Sequence, residues 1–175
     1  MHSIRYSLAG IALAFGVLAA PCAMSQTAPA AAPTPAQPPA PYGAPINLDQ
    51  AKKAMAAAEA EARKNNWQVV ISIVDNGGHL VALQRLDAQT ASIDISIGKA
   101  TTAVSFRRPT KALEDSMASG GTTLRILAVK GAMPLQGGVP IIMDGKIIGG
   151  IGVSGVLASQ DEIVAMAGAA VLSAK

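Results

Sequence analysis

Past residue 25 the sequence holds one imidazole (His79), one adjacent arginine pair (Arg107 and Arg108), a lysine set among small and apolar residues (Lys99) and a threonine directly after a proline (Thr110). Each type suggests a chemistry and also a plainer role. An imidazole beside a turn can bind a metal ion or cap local backbone. Paired guanidinium groups suit carboxylates, and equally suit the C-terminal end of a helix. A lysine in apolar surroundings is costly unless paired, with Asp161 or Asp87 as partner, or unless it lines a pocket. Thr110 following Pro109 reads as a helix N-cap, a role worth about 1 kcal/mol. Gly137 and Gly138, with the glycines at 149–155, allow backbone to approach a flat ligand, another subunit or a helix.

Several chemistries are excluded. One Cys and two His cannot build the usual zinc site within one chain. No G-x-x-x-x-G-K-[ST] phosphate loop is present, and no Ser-His-Asp constellation is defensible. Aromatic residues make up 3% of the chain and the net charge is +3, spread rather than clustered, so nucleic acid is not an expected partner.

The elements that must position these residues follow from pattern. Residues 1–25 carry Arg5, then an uncharged apolar run from Leu8 to Ala20, then small residues. That is the layout of a secretory signal peptide, and thirteen residues make a helix of roughly 20 Å, too short for a permanent membrane span. A periplasmic or secreted location follows. Residues 26–46, with seven Pro and seven Ala and no charge, read as a disordered spacer. The domain is then 47–175, cysteine-free, so that packing or assembly must hold it.

Within it, Asn47-Leu48-Asp49-Gln50 is a capping box that opens a helix over 48–65. Residues 67–74 and 79–84 flank Asp75-Asn76-Gly77-Gly78 as a β-hairpin. Helical spacing of Ile93, Ile97, Ala100 and Val104 predicts a helix over 91–106, broken before Pro109, and a short helix follows over 110–119. A loop with a helical turn at 124–128 and an extra strand near 132–136 lead to a second hairpin, 137–143 and 146–154, turning at Asp144-Gly145. Ser159-Gln160-Asp161-Glu162 reads as a second capping box before a last helix to 173. Hairpin-linked strands with helices packed on them give an α+β domain.

Taken together, Val74 to Ala82, Arg85-Leu86-Asp87, Lys99 to Ala103, Arg108-Pro109-Thr110, Gly137 to Ile141, Gly149 to Gly155 and Gln160-Asp161-Glu162 resemble the GlcG/HbpS haem-binding family, and similarly the C-terminal domain of PduO proteins. The resemblance spans 47–175 in order. It implies a profilin-like sandwich, homo-oligomers commonly of eight chains, and haem as partner in exported members, some of them linked to haem degradation or iron sensing. It also implies haem contact for Thr110. On that reading Thr110 and His79 are the candidate iron ligands, Arg107 and Arg108 the partners of the propionates, and Lys99, Gly137 and Gly138 further contacts. Any haem breakdown would then be chemistry of the iron with peroxide or oxygen. A corrinoid or other small-molecule accessory domain, and a ligand-free oligomeric interaction module, are the alternatives.

Overall fold

The computed structural model describes residues 38–173. The expected signal peptide, and the first part of the expected spacer, lie outside these residues. Four helices, α1 (Leu48–Lys64), α2 (Ser92–Phe106), α3 (Thr110–Ala118) and α4 (Ala158–Ser173), combine with four strands, β1 (Val70–Asp75), β2 (Leu80–Arg85), β3 (Gly138–Met143) and β4 (Lys146–Ser154). A 3-10 segment, Gly121–Ala128, follows α3.

The sheet has the order β2-β1-β4-β3 and every neighbouring pair is antiparallel. The fold class is α+β, as the hairpin pattern implies. β1 and β4 are central and buried on both faces, so alternate residues serve two different layers. Ile71, Ile73, Ile151 and Val153 join the main core, with Ala51, Ala54 and Ala58 of α1 and Val164, Ala165 and Ala169 of α4. The opposite face carries Val74 beneath Ala100 and Val104 of α2.

α2 approaches the sheet closely because glycines face it. A Cβ at Gly152 would collide with the Ser96 carbonyl, and one at Gly150 would sit 2.6 Å from Val104 Cγ2. Gly150 and Gly152 therefore seat a helix of the same protomer, one of the roles left open above, whereas a Cβ on Gly149 would meet the Val74 carbonyl of β1 and Ile46. The buried side of α2 is correspondingly small and polar. Ser96 meets Ser72 at 2.7 Å, and Ser154 donates to Ser92 at 3.3 Å.

Three local expectations change. No strand forms at 132–136. Thr110 does not cap α3; Pro109 occupies the cap position and the Thr110 hydroxyl turns to β3. Ser159 does not open α4 either, since the helix begins at Ala158, with Gln160 accepting the Leu157 N–H and Asp161 that of Val156. The Asn47 box is formed as read, with both reciprocal bonds present. The end of the proline-rich stretch runs beside β4: Gly43 N–H donates to Ile147, Ile46 N–H to Ile148, and Ile46 is buried in the core.

Candidate functional site

The residues singled out from sequence fall into two groups. The first is internal. Lys99 Nζ, on the buried side of α2, donates to the Val153 carbonyl at 2.9 Å and to Asp161 Oδ2 at 2.9 Å. Asp161 also accepts the Val156 N–H, so one ion pair ties α2, β4 and the start of α4. Burial raises the Asp161 carboxyl above its ordinary range, against the opposing pull of the Lys99 ammonium. Of the two partners considered for Lys99, the fold selects Asp161. Thr110 is fully buried and its Oγ1 accepts the Gly138 N–H at 2.9 Å. A Cβ on Gly138 would strike the Lys99 carbonyl, and one on Gly137 would lie 2.9 Å from Asp161 Cβ. Thr110, Lys99, Gly137 and Gly138 thus form one packed cluster enclosed by protein atoms, and a ligand could touch them only if that packing opened.

The second group is external. His79 ends the loop between β1 and β2, and its side chain is 84% exposed. Its Nδ1 lies 3.2 Å from Asp75 Oδ2. Asp75 is itself pinned, because Oδ1 accepts the N–H groups of Gly77 at 2.8 Å and of His79 at 2.9 Å. Burial opposes ionisation of Asp75, but those two backbone donors and the His79 ring outweigh it and lower its pKa. The Asp75 carboxylate faces Nδ1 of the ring, so Nε2 is the ring nitrogen not engaged by it.

The same surface continues through Asn76, whose side chain donates to the Gly43 carbonyl at 2.6 Å, and through Tyr42, whose hydroxyl donates to the Val104 carbonyl at 2.8 Å. The guanidinium of Arg107 lies 5.7 Å from the Tyr42 ring centroid. Arg107 closes α2 in the left-handed conformation (φ 52°), which turns the chain toward exposed Arg108 and Pro109. Thr101, one face of α2 away, donates to the Gly78 carbonyl at 3.3 Å and holds the His79 loop against the helix. His79, Arg107 and Arg108 are therefore linked through Asn76, Gly43, Tyr42 and α2, and none of them lines either described cavity. Those are an apolar groove of about 280 Å³ between β3 and α4, and a polar one of about 310 Å³ near Trp67 and Asp87.

The family model for haem-degrading HbpS-like proteins matches residues 46–170. The chain belongs to the HbpS-like family. Within it, the protein GlcG of Escherichia coli K12 is 44% identical over 110 residues, covering 62% of this chain and 81% of GlcG. A solved double mutant of HbpS from Streptomyces reticuli has a TM-score of 0.68 at 37% identity, covering 83% of this chain and all of that one. A solved PduOC–haem complex has a TM-score of 0.66 at 29% identity, covering 72% of this chain and 94% of its own.

Relative to this HbpS-like frame, two features escape a reading by residue type. Asp75 looks like a turn residue, yet it orients His79; the signal available was an acid four residues before the sole imidazole of the domain. Tyr42 lies in a stretch that composition assigns to a spacer. Gly150-x-Gly152-x-x-Gly155 has the spacing of a dinucleotide fingerprint, but its first two glycines lie within β4 under α2 instead of in a turn that opens a helix.

Proposed function

We propose that this protein is an exported haem-binding protein that works as a homo-oligomer, and that it holds haem on the His79–Arg107–Arg108 surface. The observation that carries the reading is the His79–Asp75 pair: an exposed imidazole, held by a pinned carboxylate, with its second nitrogen available to iron. The chemistry of this donor set fits the group. Neutral imidazole suits iron, and Arg107 and Arg108 supply two guanidinium groups for two propionates. The enclosed Oγ1 of Thr110 suits it poorly, since iron contact there would cost the Gly138 N–H its acceptor. Support comes also from the family's description as haem-degrading and from the haem bound by the PduOC relative.

Bound haem supplies an iron centre able to react with peroxide or oxygen. The chain's own part would be to hold the His79 ring through Asp75 and to neutralise the propionates with Arg107 and Arg108. Degradation of the haem, or the reporting of iron and redox state, extends this reading. The fold offers no long apolar helix among the described residues, so attachment by a described membrane-spanning helix is not part of the proposal.

Titration of the purified protein with hemin, with cobalamin as control, tests it. A shifted Soret band saturating at a stoichiometric ratio is expected with hemin alone. A flat hemin titration, or equal response to cobalamin, contradicts it.

A further inference from the structure

Resting on the haem reading, we infer that Tyr42 is a positioning residue for Arg107: its ring holds the guanidinium in place to meet a carboxylate of the bound tetrapyrrole. The end of the proline-rich stretch thereby becomes part of the binding surface.

Arg107 stands where a helix end commonly carries glycine. It closes α2 with φ 52° and ψ 40°, and its N–H bonds the Ala103 and Val104 carbonyls. A side chain in this left-handed conformation costs free energy that glycine avoids, so an arginine here points to a use for its side chain. The residue is exposed, and its guanidinium makes no hydrogen bond or ion pair with any described residue. What it does meet is the Tyr42 ring, 5.7 Å from Cζ to the centroid. Arg108 is tethered differently, by its Nε to the Phe106 carbonyl at 3.2 Å, so Tyr42 acts on Arg107.

Tyr42 is itself fixed at both ends. Its hydroxyl donates at 2.8 Å to the Val104 carbonyl, the same group that accepts the Arg107 N–H. Its backbone lies parallel to Ile147 of β4, whose N–H donates to Pro41 and whose carbonyl accepts the Gly43 N–H, both at 2.8 Å. A Cβ on Gly43 would stand 2.9 Å from Lys146 Cβ, so this strap lies tight against β4. The ring still remains 46% exposed. Asn76, in the His79 loop, donates to the Gly43 carbonyl at 2.6 Å, so the same strap touches the loop that carries the imidazole.

A guanidinium meets an aromatic ring through its face and a carboxylate through the N–H groups along its edge, so both contacts can form together. An exposed arginine samples many rotamers, and each one lost on binding weakens the complex. A ring anchored to β4 and α2 limits that sampling before the ligand arrives.

The test titrates the purified protein with hemin and with hemin dimethyl ester, whose carboxylates are masked, followed by the Soret band. Wild type is expected to bind hemin more tightly than the ester. Tyr42→Leu should weaken hemin about threefold, the loss of one exposed cation–ring contact, with no change for the ester. Tyr42→Phe keeps the ring and is expected to recover most of that loss. In an Arg107→Gln background, Tyr42→Leu should weaken hemin no further, since the two residues act as one unit. Thermal melting of each variant confirms the fold. Equal binding of hemin and ester by wild type, or losses from the two substitutions that simply add, overturns the inference while the haem reading stands. Equal weakening of hemin and ester by Tyr42→Leu would make Tyr42 a packing surface for the macrocycle, which overturns the positioning role. If wild type binds neither compound, the haem reading itself fails and the inference falls with it.

Discussion

At the level of single residues, Thr110 and His79, both candidate iron ligands by type, lie in opposite environments, one buried and one exposed. Thr110 follows a proline at a helix start and looks like a cap. Its hydroxyl is instead the acceptor for a β3 N–H. Thr110→Val keeps the shape and strands that donor, so it should lower stability by about 1–3 kcal/mol in urea denaturation, with Thr110→Ser restoring most of it. The hemin spectrum of the valine variant should match wild type. If Asp75 acts through His79, Asp75→Asn removes the charge that holds the imidazole, and hemin affinity should fall about tenfold or more, as when the hydrogen-bond partner of a metal-bound histidine is removed. The same substitution should leave affinity for metal-free protoporphyrin unchanged, a distinction that a merely unstable loop would not produce.

Between elements, the decisive contact is Lys99 with Asp161. Removing either partner leaves a buried charge alone, and Asp161→Ala should cost about 3–5 kcal/mol by denaturant titration. Its pH dependence has a definite sign. Burial lifts the Asp161 carboxyl, so the folded protein holds a proton that the unfolded chain releases. The advantage of wild type over Asp161→Asn is therefore largest below the ordinary carboxylate range and shrinks as pH rises through the lifted value. Urea midpoints measured in steps from about pH 4 upward check this; an advantage that grows with pH contradicts it. At this scale much was legible in the sequence. The two hairpins, the Asn47 capping box and the order of elements follow from local turn chemistry and periodicity, which short-range sterics enforce. The glycines of β4 announced a close neighbour without saying which, because a missing side chain records only that space is scarce. α4 starts at Ala158, ahead of Ser159, because Gln160 and Asp161 accept the N–H groups of Leu157 and Val156. The fate of Thr110 was equally hidden, since its partner at Gly138 is 28 positions away.

Over the whole molecule, three layers hold together without a disulfide: α1 and α4, the sheet, and α2. Each central strand buries both faces with Ile and Val, whereas most of the leucines among the described residues, Leu80, Leu127 and Leu157 among them, are exposed. Apolar side chains remain outside at several places, among them α4, which keeps Ile163, Met166 and Val171 exposed. An apolar exterior of this kind is consistent with the proposed homo-oligomer. Sedimentation of the protein at micromolar concentration should give an assembly and not a single chain; a monomer throughout the range contradicts that part of the proposal.

If His79 presents its Nε2 to haem iron, resonance Raman spectroscopy of the ferrous complex will show the bond. Wild type labelled with [15N]histidine should show an iron–imidazole stretching band that shifts to lower frequency relative to unlabelled protein, and His79→Ala should lack the band while Thr110→Val keeps it. A band insensitive to histidine labelling, or one that survives in His79→Ala, contradicts the account.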